Sequence, residues 1–386
     1  MSVKLWLTIL IASLDNGALA AGRLILPLVA LGVGASSALV GVMSGLFTAV
    51  PMLFSVRFGR WVDRVGTLVP MLFASSLIAA SSLLFVLVPN RFVLVPIAGL
   101  IGAGAVFAHV ATARAVTAQS ETFERARNLG FLVTSYSLFQ FLCPMIASVA
   151  FDHLGSAPAL LSISGLAMLS IAAVTALPVH NYRREPKQPQ AEAPTGGGLE
   201  LFRMAKLRRW ILVSSVFSAS QTIFPLIVSL HAVEIGLSAS RAGLVLGAFA
   251  LGTVISRLCV GRVGKMARPP VALTFALLAG AVIYAGFTLA RDLTTLLPLA
   301  ALLGLPLGIG VPISLNLIYD AAPQHRLNEA VGLCMSVTNF FQMVVPLSLG
   351  FVASGFGVAA MTWLIVLMLL APISLTAKAF GRRPTA

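Results

Sequence analysis

The feature that most constrains this chain is a series of apolar stretches, each about 20 residues long, separated by glycine, proline or charge. They fall near 5–31, 38–58, 67–88, 93–118, 128–151 and 157–178. After a polar stretch at 179–208 they resume near 209–232, 240–261, 269–290, 294–320, 328–354 and 358–379. A helix of about 20 residues is about 30 Å long, the thickness of a bilayer's hydrocarbon. The stretches are continuous, not alternating with period two, so they do not read as barrel strands. Of 386 residues, 58% are hydrophobic and 10% charged, where a soluble domain carries about 25% charge. The spacing therefore predicts an all-α membrane protein with twelve transmembrane helices.

The net charge of +14 raises nucleic acid as a partner. Placing the basic residues removes it, because they concentrate in alternate loops, as the positive-inside rule requires. With the N-terminus inside, twenty Lys and Arg fall on the cytoplasmic side, and only Arg91, Arg241 and Arg291 fall outside. Both termini are expected in the cytoplasm, in a multi-pass protein of the plasma (inner) membrane. Cys143, Cys259 and Cys334 lie within apolar stretches without a CxxC pair, and read as packing residues. Lys4, the apolar run and Ala18-Leu19-Ala20 resemble a cleavable signal peptide. Hydrophobicity resumes at Leu24, so an uncleaved first helix is the expectation.

The second six stretches repeat the first at a constant offset of 202 residues. Gly41, Gly45, Phe47, Gly59 and Arg60 match Gly243, Gly247, Phe249, Gly261 and Arg262. Pro96 and Gly102 match Pro298 and Gly304, and Gly130, Phe139, Gln140, Pro144 and Gly155 match Gly332, Phe341, Gln342, Pro346 and Gly357. Gly and Pro matches carry weight because they fix backbone geometry. The expected organisation is two pseudo-symmetric six-helix bundles, 1–180 and 209–386, joined by a cytoplasmic linker at 181–208. Parallel six-helix halves are a known secondary-transporter layout, with the substrate site near the midplane. The linker is rich in Pro, Gln and Gly and reads as a flexible tether. The following LELFRMAKLRRW is either a basic amphipathic surface helix or a plain lead-in to the seventh span.

The loop after the second span, GRWVDRVGTLVP, resembles the major facilitator superfamily signature Gly-x-x-x-Asp-Arg/Lys-x-Gly. Gly59, Asp63, Arg64 and Gly66 hold the matching positions, while the trailing basic residues are replaced by Thr67, Leu68 and Val69. The second-half copy, GRVGKMARPP, keeps Gly261 but has Lys265 at the acid's position. ERARNLG (124–130) and HRLNEAVG (325–332) resemble the family's Arg-x-x-Ala-x-Gly start of the fifth and eleventh helices. LCPMIAS (142–148) is similar to a degraded Gly-Pro-x-x-Gly-Gly motif of proton-driven drug exporters, keeping Pro144 alone. Ala98 stands where those exporters have a fourth-helix arginine. The superfamily resemblance covers the whole chain, and the drug:proton antiporter resemblance is partial. It implies the major facilitator fold, a monomer, and a gating latch at Gly59, Asp63, Arg64 and Gly66. Physically, Asp63 either faces a helix N-terminus or is a solvated loop charge.

The resemblance further implies that the first, fourth, seventh and tenth helices line a cavity. Polar groups concentrate there: Asp15, Asn16 and Arg23; His109, Thr112 and Arg114; Gln221; and Asn316. Tyr136 and Gln140 on the fifth span and Gln342 on the eleventh add to them. An ionisable group at the bilayer centre costs about 2.5–3.5 kcal/mol on insertion scales and usually faces a cavity. Asp15 is the only acid well inside a span. Burial favours a neutral carboxyl, so such a group takes up a proton on one side and releases it on the other. The alternative is an Asp permanently held by an Arg or a Ser/Thr cluster. His109 is expected near the depth of Asp15, as a relay partner or a packing residue. Arg23 is the candidate for an anionic substrate group, or for an ion pair with a neighbouring helix. Asn16, Tyr136, Gln140, Gln221, Asn316 and Gln342 complete the candidate substrate contacts, with packing polarity as the alternative for the two repeat-related glutamines. Arg114 lies about 140° around its helix from His109 and reads as a gate or interface residue.

HExxH, GxSxG and a phosphate-binding loop are missing from the sequence, and no cofactor motif is present, so an enzyme is not expected. The leading expectation is proton-coupled export of a small organic molecule. The alternatives are proton-coupled uptake of an organic anion and a non-transporting membrane sensor. The expected partners are a small-molecule substrate, protons and the lipid bilayer.

Overall fold

The computed structural model describes residues 3–118, 125–176, 198–266, 268–323 and 326–377. The expected linker lies outside the described residues as far as 197. So do Glu124, His325 and the basic residues after 377, together with the side chains of Arg125, Arg127, Arg262 and Lys265.

The described residues form helices joined by short turns, with no strand among them. The first half holds α1 (Val3–Gly32), α2 (Ser37–Val65), α3 (Leu68–Leu87), α4 (Leu94–Ala118), α5 (Arg125–Leu154) and α6 (Ser156–Thr175). A short α7 (Gly198–Arg203) precedes α8 (Ala205–Glu234), α9 (Ala239–Met266), α10 (Pro269–Phe287), α11 (Leu293–Ala321), α12 (Leu327–Leu370) and α13 (Ile373–Ala377). Eleven helical stretches are long and apolar enough to cross a membrane. The last of them is two helices joined at Gly357, whose φ of +84° is not helical, which makes twelve crossings. Leu53, Leu87, Leu258, Phe275, Val282 and Phe356 are exposed. Surfaces this apolar suit hydrocarbon rather than water. The LELFRMAKLRRW segment resolves into α7 and the first turns of α8, broken at Met204, so Lys206, Arg208 and Arg209 are a lead-in.

The repeat extends to the backbone. α1 and α8 both end in a Schellman-type cap: Ala35 N–H bonds Ala30 C=O, and Leu237 N–H bonds Ala232 C=O. The left-handed residues are Gly34 (φ +75°) and Gly236 (φ +70°), 202 apart; glycine meets no Cβ penalty there. Gly155 (φ +93°) and Gly357 (φ +84°) repeat the turn after α5. Asn90 caps the turn before α4 and Asp292 caps α11, each through a side-chain oxygen. The hydroxyl of Thr294, then the hydroxyl and N–H of Thr295, hold the Asp292 carboxyl below the usual carboxylate range. The ionised cap is therefore present above that group's unfolded titration range and is lost as acid protonates it.

Packing divides the chain into two units. The first takes α1–α6 together with Val228–Gly247; the second takes α7, α8 as far as Ile227, α9 from Ala248, and α10–α13. In the first unit α1 is the central helix, set against α4, α5 and α6. Phe58 stacks on Phe107 at 4.2 Å, and Ser164 donates to the Ala79 carbonyl across α6 and α3 (2.8 Å). In the second unit the Tyr284 hydroxyl donates to the Ser220 carbonyl (2.7 Å), and Phe224 packs edge-on against Tyr284 and Phe287.

Both units use one helix crossing twice. A Cβ on Gly102 of α4 would overlap the Phe47 carbonyl of α2, and one on Gly304 of α11 would overlap the Phe249 carbonyl of α9. Gly165 on α6 faces open space. Gly102→Val and Gly304→Val are expected to lower unfolding stability by at least about 1–3 kcal/mol each through overpacking. Gly165→Ala is expected to leave it unchanged or raised, all read by thermal unfolding of the purified protein.

Candidate functional site

α1 is buried from Ile11 to Ala30 except at three positions, Asn16, Ala20 and Arg23. Their spacing of four and three residues puts them on one stripe of the helix. Asp15, next to Asn16, points about 100° away from it. The stripe and the acid therefore face different neighbours.

On the stripe, Asn16 Oδ1 accepts a hydrogen bond from Gln140 Nε2 of α5 (2.8 Å). One turn earlier on α5, the Tyr136 hydroxyl lies 2.9 Å from Nδ1 of His109 on α4. Tyr136 is buried, whereas His109 and Gln140 are exposed. Three helices thus bring Asn16, His109, Tyr136 and Gln140 into one polar run in an apolar bundle. The exposed imidazole and amide offer donors and acceptors to a small polar molecule. Arg23, two turns beyond Asn16, makes no hydrogen bond or ion pair with the described residues, and its Nε is buried without a partner.

Asp15 is fully buried. Its Oδ2 lies 2.7 Å from the Ser75 hydroxyl of α3. Ser75 in turn meets Ser170 of α6 (3.1 Å), whose hydroxyl donates to the Ile11 carbonyl of α1 (3.4 Å). Oδ1 has no partner. Asp15 and His109 share no direct hydrogen bond among the described residues: the acid meets Ser75 of α3 and the imidazole meets Tyr136 of α5. Ser75 and Ser170 lie on the third and sixth spans, outside the four helices expected to line the cavity. Their signal was hydroxyls at the bilayer depth of a lone acid.

In the second unit, Gln221 Nε2 is spent on the Leu307 carbonyl (2.6 Å). Asn316 is exposed and Gln342 half-buried. Gln140 and Gln342 differ in their surroundings: Gln140 is bonded to Asn16, while the repeat counterpart of Asn16 is the shorter Ser218.

At the signature loop, α2 continues through Gly59 and Asp63 to Val65, and Gly66 (φ +84°) turns the chain into α3. Among the described residues the partner of Asp63 is Arg114 of α4, in an ion pair, rather than a helix N-terminus. Arg114 thus braces α4 against α2. Arg64 is exposed.

Two further polar contacts were not legible in the sequence. Arg326 grips Glu329 with two bonds of 2.7 Å and reaches Glu200 of α7 (3.3 Å). At the other end, both carboxylate oxygens of Asp152 accept backbone N–H bonds from Ala239 (2.9 Å) and Ser240 (2.7 Å) in the first turn of α9. An anion is favoured at a helix N-terminus. Gly243 lets α9 approach Ser148 closely, and the Ser229 hydroxyl donates to the Leu24 carbonyl (3.3 Å). These contacts explain why Val228–Gly247 packs with the first unit. Asp152→Ala is expected to cost about 0.5–2 kcal/mol, the range of a lost helix cap, with Asp152→Asn recovering part of it in thermal unfolding.

The sequence model of the Major Facilitator Superfamily matches residues 5–293 and 210–386. No curated protein matches the chain in sequence. Among solved structures, the nucleoside transporter NupG superposes with a TM-score of 0.83 at 12% identity, over 98% of this chain and 100% of that one. A bacterial homologue of the human lysosomal transporter Spinster, inward-facing and occupied, gives 0.79 at 12% identity over 99% and 98%. A POT family transporter in complex with a thioalcohol-conjugated peptide gives 0.77 at 10% identity over 97% and 95%. At these identities the likeness is one of fold.

Proposed function

The chain belongs to the Major Facilitator Superfamily, and from that premise we propose that it is a secondary active transporter that moves a small organic molecule by alternating access, coupled to protons. Its fold is that of transporters, not of enzymes. The observation that carries the reading is the polar run of Asn16, His109, Tyr136 and Gln140, made by three helices of one bundle. Polar groups within membrane helices are costly and mark substrate or ion pathways. Asp15 is the proposed proton carrier. With the carboxyl ionised, the Ser75 hydroxyl donates to Oδ2; on protonation that bond can reverse, the carboxyl donating to Ser75 and Ser75 to Ser170, whose hydroxyl donates to the Ile11 carbonyl. An ionised Asp15 needs a different arrangement, because one hydroxyl bond is little compensation for a buried charge. Protonation and conformation are thereby linked.

Export of the substrate from a cytoplasm holding both termini is the proposed direction, supported by the exporter-like segment around Pro144 and by the loop charges. Uptake is the second reading, favoured by the unpaired Arg23. The proposed location is the inner membrane, with both termini cytoplasmic as the loop charges suggest, and the monomer is what the family resemblance implies.

The test is flux in proteoliposomes under an imposed pH gradient, across neutral, anionic and cationic compounds. Saturable, gradient-dependent movement of a subset is expected. Asp15→Asn is expected to abolish gradient-driven accumulation while counterflow of the same compound persists. Unchanged accumulation in that variant sinks proton coupling through Asp15, and flux of no compound in any condition favours a sensor. Right-side-out and everted vesicles separate uptake from export.

A further inference from the structure

Arg23 has no counter-ion among the described residues, and the acids the structure describes are otherwise engaged or distant in the fold. Asp63 is held by Arg114, and Glu200 and Glu329 by Arg326. Asp152 caps α9 and Asp292 caps α11. Glu234 lies beside His231, and Asp320 is exposed in the last turns of α11. Asp15, on the same helix, is turned to Ser75. An arginine also escapes hydrocarbon by reaching the headgroups. Arg23, however, is nine residues from the Gly32 end of α1, about 14 Å along the axis, which is further than its side chain extends.

A half-buried guanidinium without a counter-ion inside a membrane helix is costly, and it is best satisfied by a forked oxyanion. Arg23 shares its stripe with Asn16, seven residues or about 10 Å away, where Gln140 and the His109–Tyr136 pair supply neutral donors and acceptors. We propose that the substrate is a small organic anion whose carboxylate or similar oxyanion neutralises Arg23, and whose other end carries a neutral hydrogen-bonding group reaching Asn16 and Gln140. This rests on the transporter reading and adds the substrate's charge, its polarity at each end and its length. The match of charge is set by Arg23, and the match of length by the Asn16–Arg23 spacing.

The experiment uses the purified full chain in nanodiscs of zwitterionic lipid and follows the thermal unfolding midpoint. The probes are 8-hydroxyoctanoate, its primary amide, the cation 8-amino-1-octanol, and acetate. The hydroxy-acid is expected to raise the midpoint, the amide and the amine not, and acetate only at far higher concentration. Arg23→Gln is expected to raise the ligand-free midpoint and to weaken the hydroxy-acid about tenfold or more. Arg23→Lys falls between, since an ammonium lacks the fork, and it gives the readout if the glutamine variant does not fold. Arg241→Gln, an exposed arginine at the start of α9, is expected to behave as the parent. Equal shifts by acid and amide overturn the proposal, as does the lack of any Arg23-dependent shift with all four probes. A midpoint that follows phosphatidylglycerol content through Arg23, and not the carboxylate, also overturns it by assigning a lipid as the counter-ion. Gradient-driven flux is measured separately. Its absence, with the Arg23-dependent shift intact, removes proton coupling and leaves the anion site standing.

Discussion

Charge inside hydrocarbon has to be compensated, and α1 carries two ionisable groups on two of its faces. Much of the first bundle is arranged around that fact. On one face Asp15 draws hydroxyls from α3 and α6, and the chain closes on the carbonyl of Ile11, one turn earlier on α1. That fixes the rotation of α1, which has to keep Asp15 away from lipid. With the rotation fixed, Asn16, Ala20 and Arg23 are the positions left accessible on an otherwise buried helix. The stripe that meets α4 and α5 is in this sense a consequence of how the acid is seated. The small residues that flank it allow the close fit: a Cβ on Gly17 would strike Cys143, and one on Gly22 would press on Ile101.

The two halves share a scaffold and differ in chemistry. The shared parts are backbone devices: Schellman caps at Gly34 and Gly236, turns at Gly155 and Gly357, and crossings at Gly102 and Gly304. None of them involves a charge. The differing parts are the polar ones. Arg23 has Pro225 as its counterpart, Asp15 has Phe217, and His109 has Val311. Phe217 is buried in the second unit, packed against Gly310, and the counterparts of Ser75 and Ser170 are Leu277 and Pro372, which carry no hydroxyl. Repetition preserves what any such bundle needs to fold. Specialisation has accumulated in the residues that need a particular partner.

Packing and repeat boundaries do not coincide. Residues Val228–Gly247 belong to the second repeat and pack with the first unit, through the Asp152 cap and the close approach at Gly243. Asp152 lies near the end of α5, and the N–H groups that it receives come from a helix that begins 87 positions later. Arg326 is similar. It joins α7 to the start of α12 through two carboxylates, Glu200 and Glu329.

The sequence by itself determined the number of membrane spans, their bounds to within several residues and the twofold repeat, because continuous apolar length, glycine and proline act locally on the backbone. It also marked Asp15 and Arg23, since a charge in a 20-residue apolar run stands out without any structure. Tertiary structure alone decided what those charges meet. Adjacent residues on a helix point about 100° apart, and which neighbour fills each direction depends on the packing of helices distant in sequence. Hence Asp15 met Ser75, itself backed by Ser170, from spans outside the expected cavity helices, His109 met Tyr136, Asp63 met Arg114 rather than a helix N-terminus, and Arg23 met no counter-ion among the described residues.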